Sequence, residues 1–274
     1  MTQIATVNYH LHKSQRQAFV LDADGIVGNL ISPELAPTQV PVRDIRTSNP
    51  RVSFENTSVG FATFPTAVSS FTGNAWHEAY DAELTALLQS EISAQEVIVF
   101  DHTLRVDDPN ADRAPARNVH SDYSIDGAEK RLIDILGENK AAAWANGHYA
   151  FVNVWRPVGA PINSAPLGFI RPASVAKQDW ILLDLIYPDR KGQIMGIAAN
   201  PQHDWLYMSK MTPDDVAFFN IFDNRGLPSI AHSALDMIEG PQTFILFDAA
   251  SRAAPWSVTQ PNSQSRDHHR KITQ

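Results

Sequence analysis

His120, Ser121 and Asp122 place an imidazole two positions from a carboxylate. Side chains alternate across a β-strand, so residues two apart leave it on the same face. An extended chain here would present a ring nitrogen beside a carboxylate oxygen. These are two of the three protein ligands of the two-His-one-carboxylate facial triad. A second histidine from a neighbouring strand would complete it and leave open positions on a non-haem Fe(II) for O2 and a chelating co-substrate. An H-x-D tripeptide alone occurs by chance in many chains, so the rest of the chain must supply the other imidazole.

His148, His203 and His232 are the downstream candidates. His148 follows Gly147 where a helix stops, which suits a cap or a surface position. His203 opens HDWLYM at a strand edge. His232 sits inside SIAHSAL (Ser229 to Leu235), so spacing favours it over His203. The chain has no cysteine, which excludes disulfides, thiolate nucleophiles, iron–sulfur clusters and zinc–thiolate sites. Any protein-held metal must therefore use histidine and carboxylate.

Lys and Arg total 22 against 30 Asp and Glu, a formal charge of -8. No block of like charge stands out, which argues against nucleic acid or an anionic membrane as partner. No window approaches the run of about 20 apolar residues that spans a bilayer. The opening MTQIATVNYHLHKSQRQ lacks the apolar segment of a secretory leader. The expectation is a soluble cytoplasmic protein whose partner is a small molecule; a homo-oligomer is compatible with the sequence.

The elements that would position these ligands follow from pattern. Ile4 to Val20 alternates loosely as an edge strand. Asp22 to Gly25 reads as a turn, and Gly28 to Pro50, with four prolines, as a wrapping loop. Gly60 to Pro65 reads as a short apolar strand or turn. Trp76, Tyr80, Leu84, Leu87 and Leu88 form one helical stripe over 76–89. Glu96 to Arg105 and Arg117 to Tyr123 read as strands. Asp126 to Leu136 reads as a helix with an Asp126–Glu129 capping pair and a stop at Gly137, followed by a helix over 139–146 capped by Asn139. From Tyr149 short apolar runs alternate with turns: 151–156, 179–187, 193–199, 204–208, 216–222, 229–235 and 243–248. Thr212 to Asp215 reads as one helical turn between two of them. Many short strands at even spacing predict a sandwich or barrel. The last twenty residues read as a polar tail.

Several segments carry a resemblance. FDHTLR (Phe100 to Arg105), VHSDYSIDGA (Val119 to Ala128), NVWRPVGAPINSAPLGF (Asn153 to Phe169), HDWLYMSKMTPDDVAFFNIFDN (His203 to Asn224) and AHSAL (Ala231 to Leu235) stand in the order of one family. The set resembles the hydroxylase/desaturase proteins of secondary metabolism, of the AsaB and CmcJ type, from about Val97 to Leu235. The resemblance implies a mainly β fold with flanking helices around a double-stranded β-helix (jelly-roll, cupin-like) core. It implies a single oxygenase domain over 1–274: a wrapping segment and helix over 1–95, the core over 96–250 with a helical insert at 126–147, and a tail over 251–274.

The same resemblance implies an oxygenase that uses Fe(II), 2-oxoglutarate and O2 to hydroxylate or desaturate a small metabolite. His120, Asp122 and His232 match its metal ligands, and Arg156 of NVWRP matches a candidate anion-binding residue. Tyr123, His102 and Trp155 are the expected neighbours of the substrate, each equally well explained by packing. One departure stands out. Family members carry an Arg on the strand after the distal His, suited to the far carboxylate of 2-oxoglutarate. Here that strand is TFILFDA, without Arg; the nearest is Arg252. The expectation is that Arg252 or Arg156 takes the role. Two other readings stay open: an iron oxygenase that does not use 2-oxoglutarate, and a jelly-roll accessory subunit of a biosynthetic enzyme.

Overall fold

The structure is a computed structural model that describes residues 2–21, 31–48, 50–108, 110–111 and 113–238. The turn at Asp22 to Gly25, the strand at 243–248, Arg252 and the polar tail lie outside the described residues.

In chain order the strands are β1 (Thr2–His10), β2 (Gln17–Val20), β3 (Leu35–Asp44), β4 (Val59–Thr63), β5 (His120–Ser121), β6 (Ala150–Trp155), β7 (Leu167–Ile170), β8 (Trp180–Ile186), β9 (Lys191–Ile197), β10 (Trp205–Tyr207), β11 (Asp215–Asp223), β12 (Ala231–Ala234) and β13 (Asp236–Ile238). The helices are α1 (Ile45–Ser48), α2 (Phe54–Thr57), α3 (His77–Ile92), α4 (Ile125–Leu136) and α5 (Glu138–Asn146). A ten-stranded sheet runs β13-β1-β3-β10-β7-β12-β5-β9-β8-β2, and a smaller sheet runs β4-β11-β6. The fold is mainly β, a double-stranded β-helix with flanking helices.

The small sheet is buried on both faces, and its sequence shows it. Along β11 Ala217, Phe219 and Ile221 pack with Phe169 of the large sheet, while Val216 and Phe218 pack under α3. Continuous apolarity replaces alternation because neither face meets water. β6 divides in the same way: Phe151 and Trp155 face the large sheet, and Val152 and Val154 face α3. The stripe expected over 76–89 is the buried side of α3, with Tyr80, Leu84, Leu87 and Leu88 inward.

Six local expectations are corrected. β1 is not an edge strand, because β3 and β13 pair with it on opposite sides; among the described residues β2 and β13 are the ends of the sheet. The proline-rich stretch is β3 rather than a loop. Pro37 and Pro41 lie opposite Asn8 and Ile4, and β10 joins the other side only from Val42 onward. Over that half the strand is paired on one side among the described residues, where a missing N–H costs nothing. Glu96 to Arg105 is not one of the named strands of either sheet and has only a bridge residue at His102; its apolar head reports burial, which a strand and a packed loop share. α4 begins one residue earlier than expected, capped by Ser124, whose Oγ accepts from Gly127 N at 3.0 Å. α5 likewise starts at Glu138, directly after Gly137, which leaves Asn139 inside the helix. Thr212 to Asp215 is a turn closed on Asp215 Oδ2, which accepts from Thr212 N and Oγ1.

Among the described residues no helix is long and apolar enough to cross a membrane. Gly196 shows how tightly the large sheet is filled near β5. It pairs with His120, and a Cβ there would lie 2.7 Å from His10 Cδ2 and 2.8 Å from Leu183 Cδ1. Overpacked cores lose about 1–3 kcal/mol. Gly196→Ala is expected to lower the unfolding free energy by that amount and to weaken metal binding through β5, checked by urea unfolding and metal titration. Unchanged stability would contradict this packing.

Candidate metal centre

β5 and β12 are antiparallel neighbours, and their register sets His120 directly opposite His232. The two rings lie 4.5 Å apart on the face that looks toward the small sheet. Each Nδ1 donates to the carbonyl two residues back, His120 to Asn118 at 2.8 Å and His232 to Ile230 at 3.4 Å. With Nδ1 so engaged, each ring turns its Nε2 toward Asp122. Asp122 lies one residue past the end of β5. Its Oδ1 is 3.5 Å from His120 Nε2 and its Oδ2 is 3.8 Å from His232 Nε2. One ligand atom from each residue lies within 4.8 Å of the others.

Asn153 on β6 completes the arrangement, its Nδ2 donating to Asp122 Oδ2 at 2.7 Å. The small sheet thus fixes the carboxylate that the large sheet supplies. Phe219 of β11 closes the other side, 4.8 Å from the His232 ring. Asn153 was not singled out from sequence. Its signal was a polar residue at an inward position of the apolar strand FVNVW, two before Trp155.

The electrostatics prepare the residues for a cation. Burial alone would raise Asp122, but the hydrogen bond with His120, the two imidazoles and Asn153 hold it below the usual carboxylate range. Burial, then the neighbouring His120, lowers His232 to about 4; Asp122 and the Ile230 carbonyl oppose this, and Arg105 adds to it. At neutral pH the site therefore offers an ionised carboxylate and a neutral His232. This set, two imidazole nitrogens and one carboxylate oxygen, suits Fe(II) and other borderline divalent ions.

The other expected residues fall in several places. Tyr123 and Trp155 line a cavity of about 740 Å3 that opens on all three ligands, with Leu104, Val106, Val158 and Ile162 among its apolar walls. Arg156 borders this cavity, but its guanidinium sits 5.3 Å from the Tyr80 ring centroid and donates to the Pro213 carbonyl. That is the α3 side of the small sheet, opposite Asn153 and Trp155, as strand alternation requires. Arg156 is therefore not placed to meet a ligand at the metal ligands.

His102 is also displaced from its expected position. It does not line this cavity; it stacks on His77 at 4.8 Å and pairs with Asp81 of α3. His203 is buried between Tyr9 Oη at 2.8 Å and Asp179 at 3.2 Å, where it ties β1 to the turn before β8. His148 is a surface partner of Asp223.

His10, buried behind β5, is likewise lowered to about 4, first by burial and then by His120. For both histidines the folded value lies below the ordinary 6.5. The unfolded chain takes up protons as pH falls through 6.5, and the folded chain does so only near 4. Stability of the metal-free protein should therefore fall across that window, by a few kcal/mol for each group. The lowered Asp122 contributes above its unfolded value and is lost only below about pH 4. Thermal midpoints measured from pH 7.5 to 4.5 check this; a flat profile above pH 5 would contradict it.

Comparison with known proteins agrees with this architecture. The chain is 29% identical over 213 residues to the hydroxylase/desaturase efuI of Hormonema carpetanum, covering 68% of this chain and 72% of that protein. It is 31% identical over 123 residues to the hydroxylase/desaturase CTB9 of Cercospora beticola, covering 41% and 38%. A variant of the iron and alpha-ketoglutarate-dependent endoperoxidase NvfI superposes with a TM-score of 0.75 at 19% identity, over 90% of this chain and 92% of that one. The family described as the YDMC oxidoreductase/YMDC permease-like domain matches residues 8–245. The chain belongs to this oxidoreductase family, with relatives named hydroxylase/desaturase and the fold of an iron-dependent oxygenase.

Proposed function

We propose that the protein is a non-haem Fe(II)- and 2-oxoglutarate-dependent oxygenase that hydroxylates or desaturates a small, largely apolar metabolite. The observation that carries this reading is the convergence of His120, Asp122 and His232 at the floor of a cavity large enough for a metabolite. The names of the relatives and of the structural neighbour point the same way.

When bound, iron with 2-oxoglutarate and O2 supplies an oxidant that removes hydrogen from a C–H bond, with succinate and CO2 as co-products. The chain's own residues set the conditions for that chemistry. The backbone carbonyls of Asn118 and Ile230 hold the His120 and His232 rings by Nδ1, so each Nε2 is oriented toward the metal position without rearrangement. Asn153 holds Asp122 by one oxygen and keeps the carboxylate from turning away. Trp155 and Ile221 make the inner wall apolar, with Phe219 packed against the His232 ring, and keep water from the reacting carbon. The apolar rim at Val158 and Ile162 holds a hydrophobic skeleton, and Tyr123 offers a protonated hydroxyl, its ionisation suppressed mainly by burial. Whether hydroxylation or desaturation follows depends on how the substrate's next C–H lies in this cavity.

Anaerobic addition of Fe(II) and 2-oxoglutarate should give a weak visible charge-transfer band, and admission of O2 should release succinate. His120→Ala is expected to abolish the band. Asn153→Ala is expected to lower Fe(II) affinity about 10- to 100-fold, the usual cost of losing a group that orients a ligand. Iron binding no stronger than background in the unaltered protein would defeat the proposal. A band without succinate release would instead indicate an iron oxygenase that draws its electrons elsewhere.

A further inference from the structure

An acid chelated at His120, Asp122 and His232 needs a cationic partner for its far end; of the two arginines expected from sequence, Arg252 lies outside the described residues and Arg156 turns toward Tyr80. The buried guanidinium of Arg156 lies over Tyr80 on the α3 side of the small sheet, and its Nη1 donates to the Pro213 carbonyl. Arg105 occupies the position that Arg156 does not. It closes the motif FDHTLR and lines the same cavity as His120, Asp122 and His232. Its Nη1 donates to the Ala114 carbonyl at 2.8 Å, which ties the guanidinium to its own loop. That bond uses one of five donors, and among the described residues Arg105 makes no contact ion pair.

Burial is the main influence against its charged form; Asp122 and Asp101 favour that form, while Arg113, on the same loop and also lining the cavity, opposes it. By contrast, Arg117 on the next segment is fully engaged by Asp107 and Asp236. Two guanidinia lining one cavity with His120, Asp122 and His232, one of them tied to its own loop and without a contact ion pair among the described residues, suit an anion.

We propose that Arg105 binds the distal carboxylate of the dicarboxylate co-substrate, an assignment that rests on the oxygenase reading above. It takes the role that family members give to an Arg on the strand after the distal histidine, from a loop on the other side of the metal. It also sets which 2-oxo acids are accepted: those with a second carboxylate at the right distance.

The test titrates anaerobic Fe(II)-loaded protein with 2-oxoglutarate and, separately, with pyruvate, a 2-oxo acid lacking the far carboxylate, following the visible band. Arg105→Met should raise the dissociation constant for 2-oxoglutarate about 10- to 100-fold, the range for a charge-assisted hydrogen-bond pair. It should leave binding of Fe(II) and pyruvate unchanged, and Arg105→Lys should recover part of the loss. Arg156→Met should lower the thermal midpoint and leave 2-oxoglutarate affinity as it is. Equal weakening of both acids, no change for either, or selective loss in Arg156→Met would overturn the assignment to Arg105. Iron-loaded protein that binds neither acid before any substitution would overturn the oxygenase reading itself.

Discussion

The structure depends on one cross-strand pair. His120 and His232 stand opposite each other on antiparallel strands, so two residues more than a hundred positions apart are held at ring-contact distance by main-chain register. A slip of one residue on either strand would turn an imidazole to the other face of the sheet. That register is fixed by packing on both sides. β7 pairs with β12 along four residues, and β9 pairs with β5 at His120 and Ser121. The absence of side-chain volume at Gly196 leaves room for His10 behind the pair.

The small sheet supplies the rest of the site. Burying an ionised carboxylate is costly unless it is paired and hydrogen-bonded. Asp122 meets that condition through two imidazoles from one sheet and the Asn153 amide from the other. The same polar contact therefore joins the two layers and orients the ligand. Around it the packing is apolar and aromatic, with Phe169, Phe219 and Trp155 in one cluster, so the polar atoms are confined to the floor of the cavity. Burial on its second face, beneath α3, stiffens the small sheet and gives Asn153 a fixed origin.

Much of this was legible in the chain, for identifiable reasons. The H-x-D pair and the histidine of AHSAL were readable because strand periodicity and burial act on residues within a few positions of one another. The helical stripe from Trp76 and the even spacing of strands after Tyr149 were readable on the same grounds. β3 was hidden because its prolines are tolerated only through one-sided pairing, which depends on where β10 ends. Glu96 to Arg105 was misread because a packed loop and a strand share one composition. The face to which Arg156 turns was in principle available, since Asn153 and Trp155 set the phase of β6, but a match to NVWRP says nothing about phase. His102 was drawn to α3 by aromatic neighbours from elsewhere in the chain, Trp76 and His77, which local pattern does not reveal.

The central claim is that three side chains from distant parts of the chain hold a single ferrous ion between the two sheets. Anomalous diffraction at the iron absorption edge, from crystals grown with Fe(II) under anaerobic conditions, tests this without reference to turnover. The account predicts one strong peak per chain bounded by His120, Asp122 and His232, with Asn153 still on the carboxylate. No peak there, or a peak held by other residues, would contradict it.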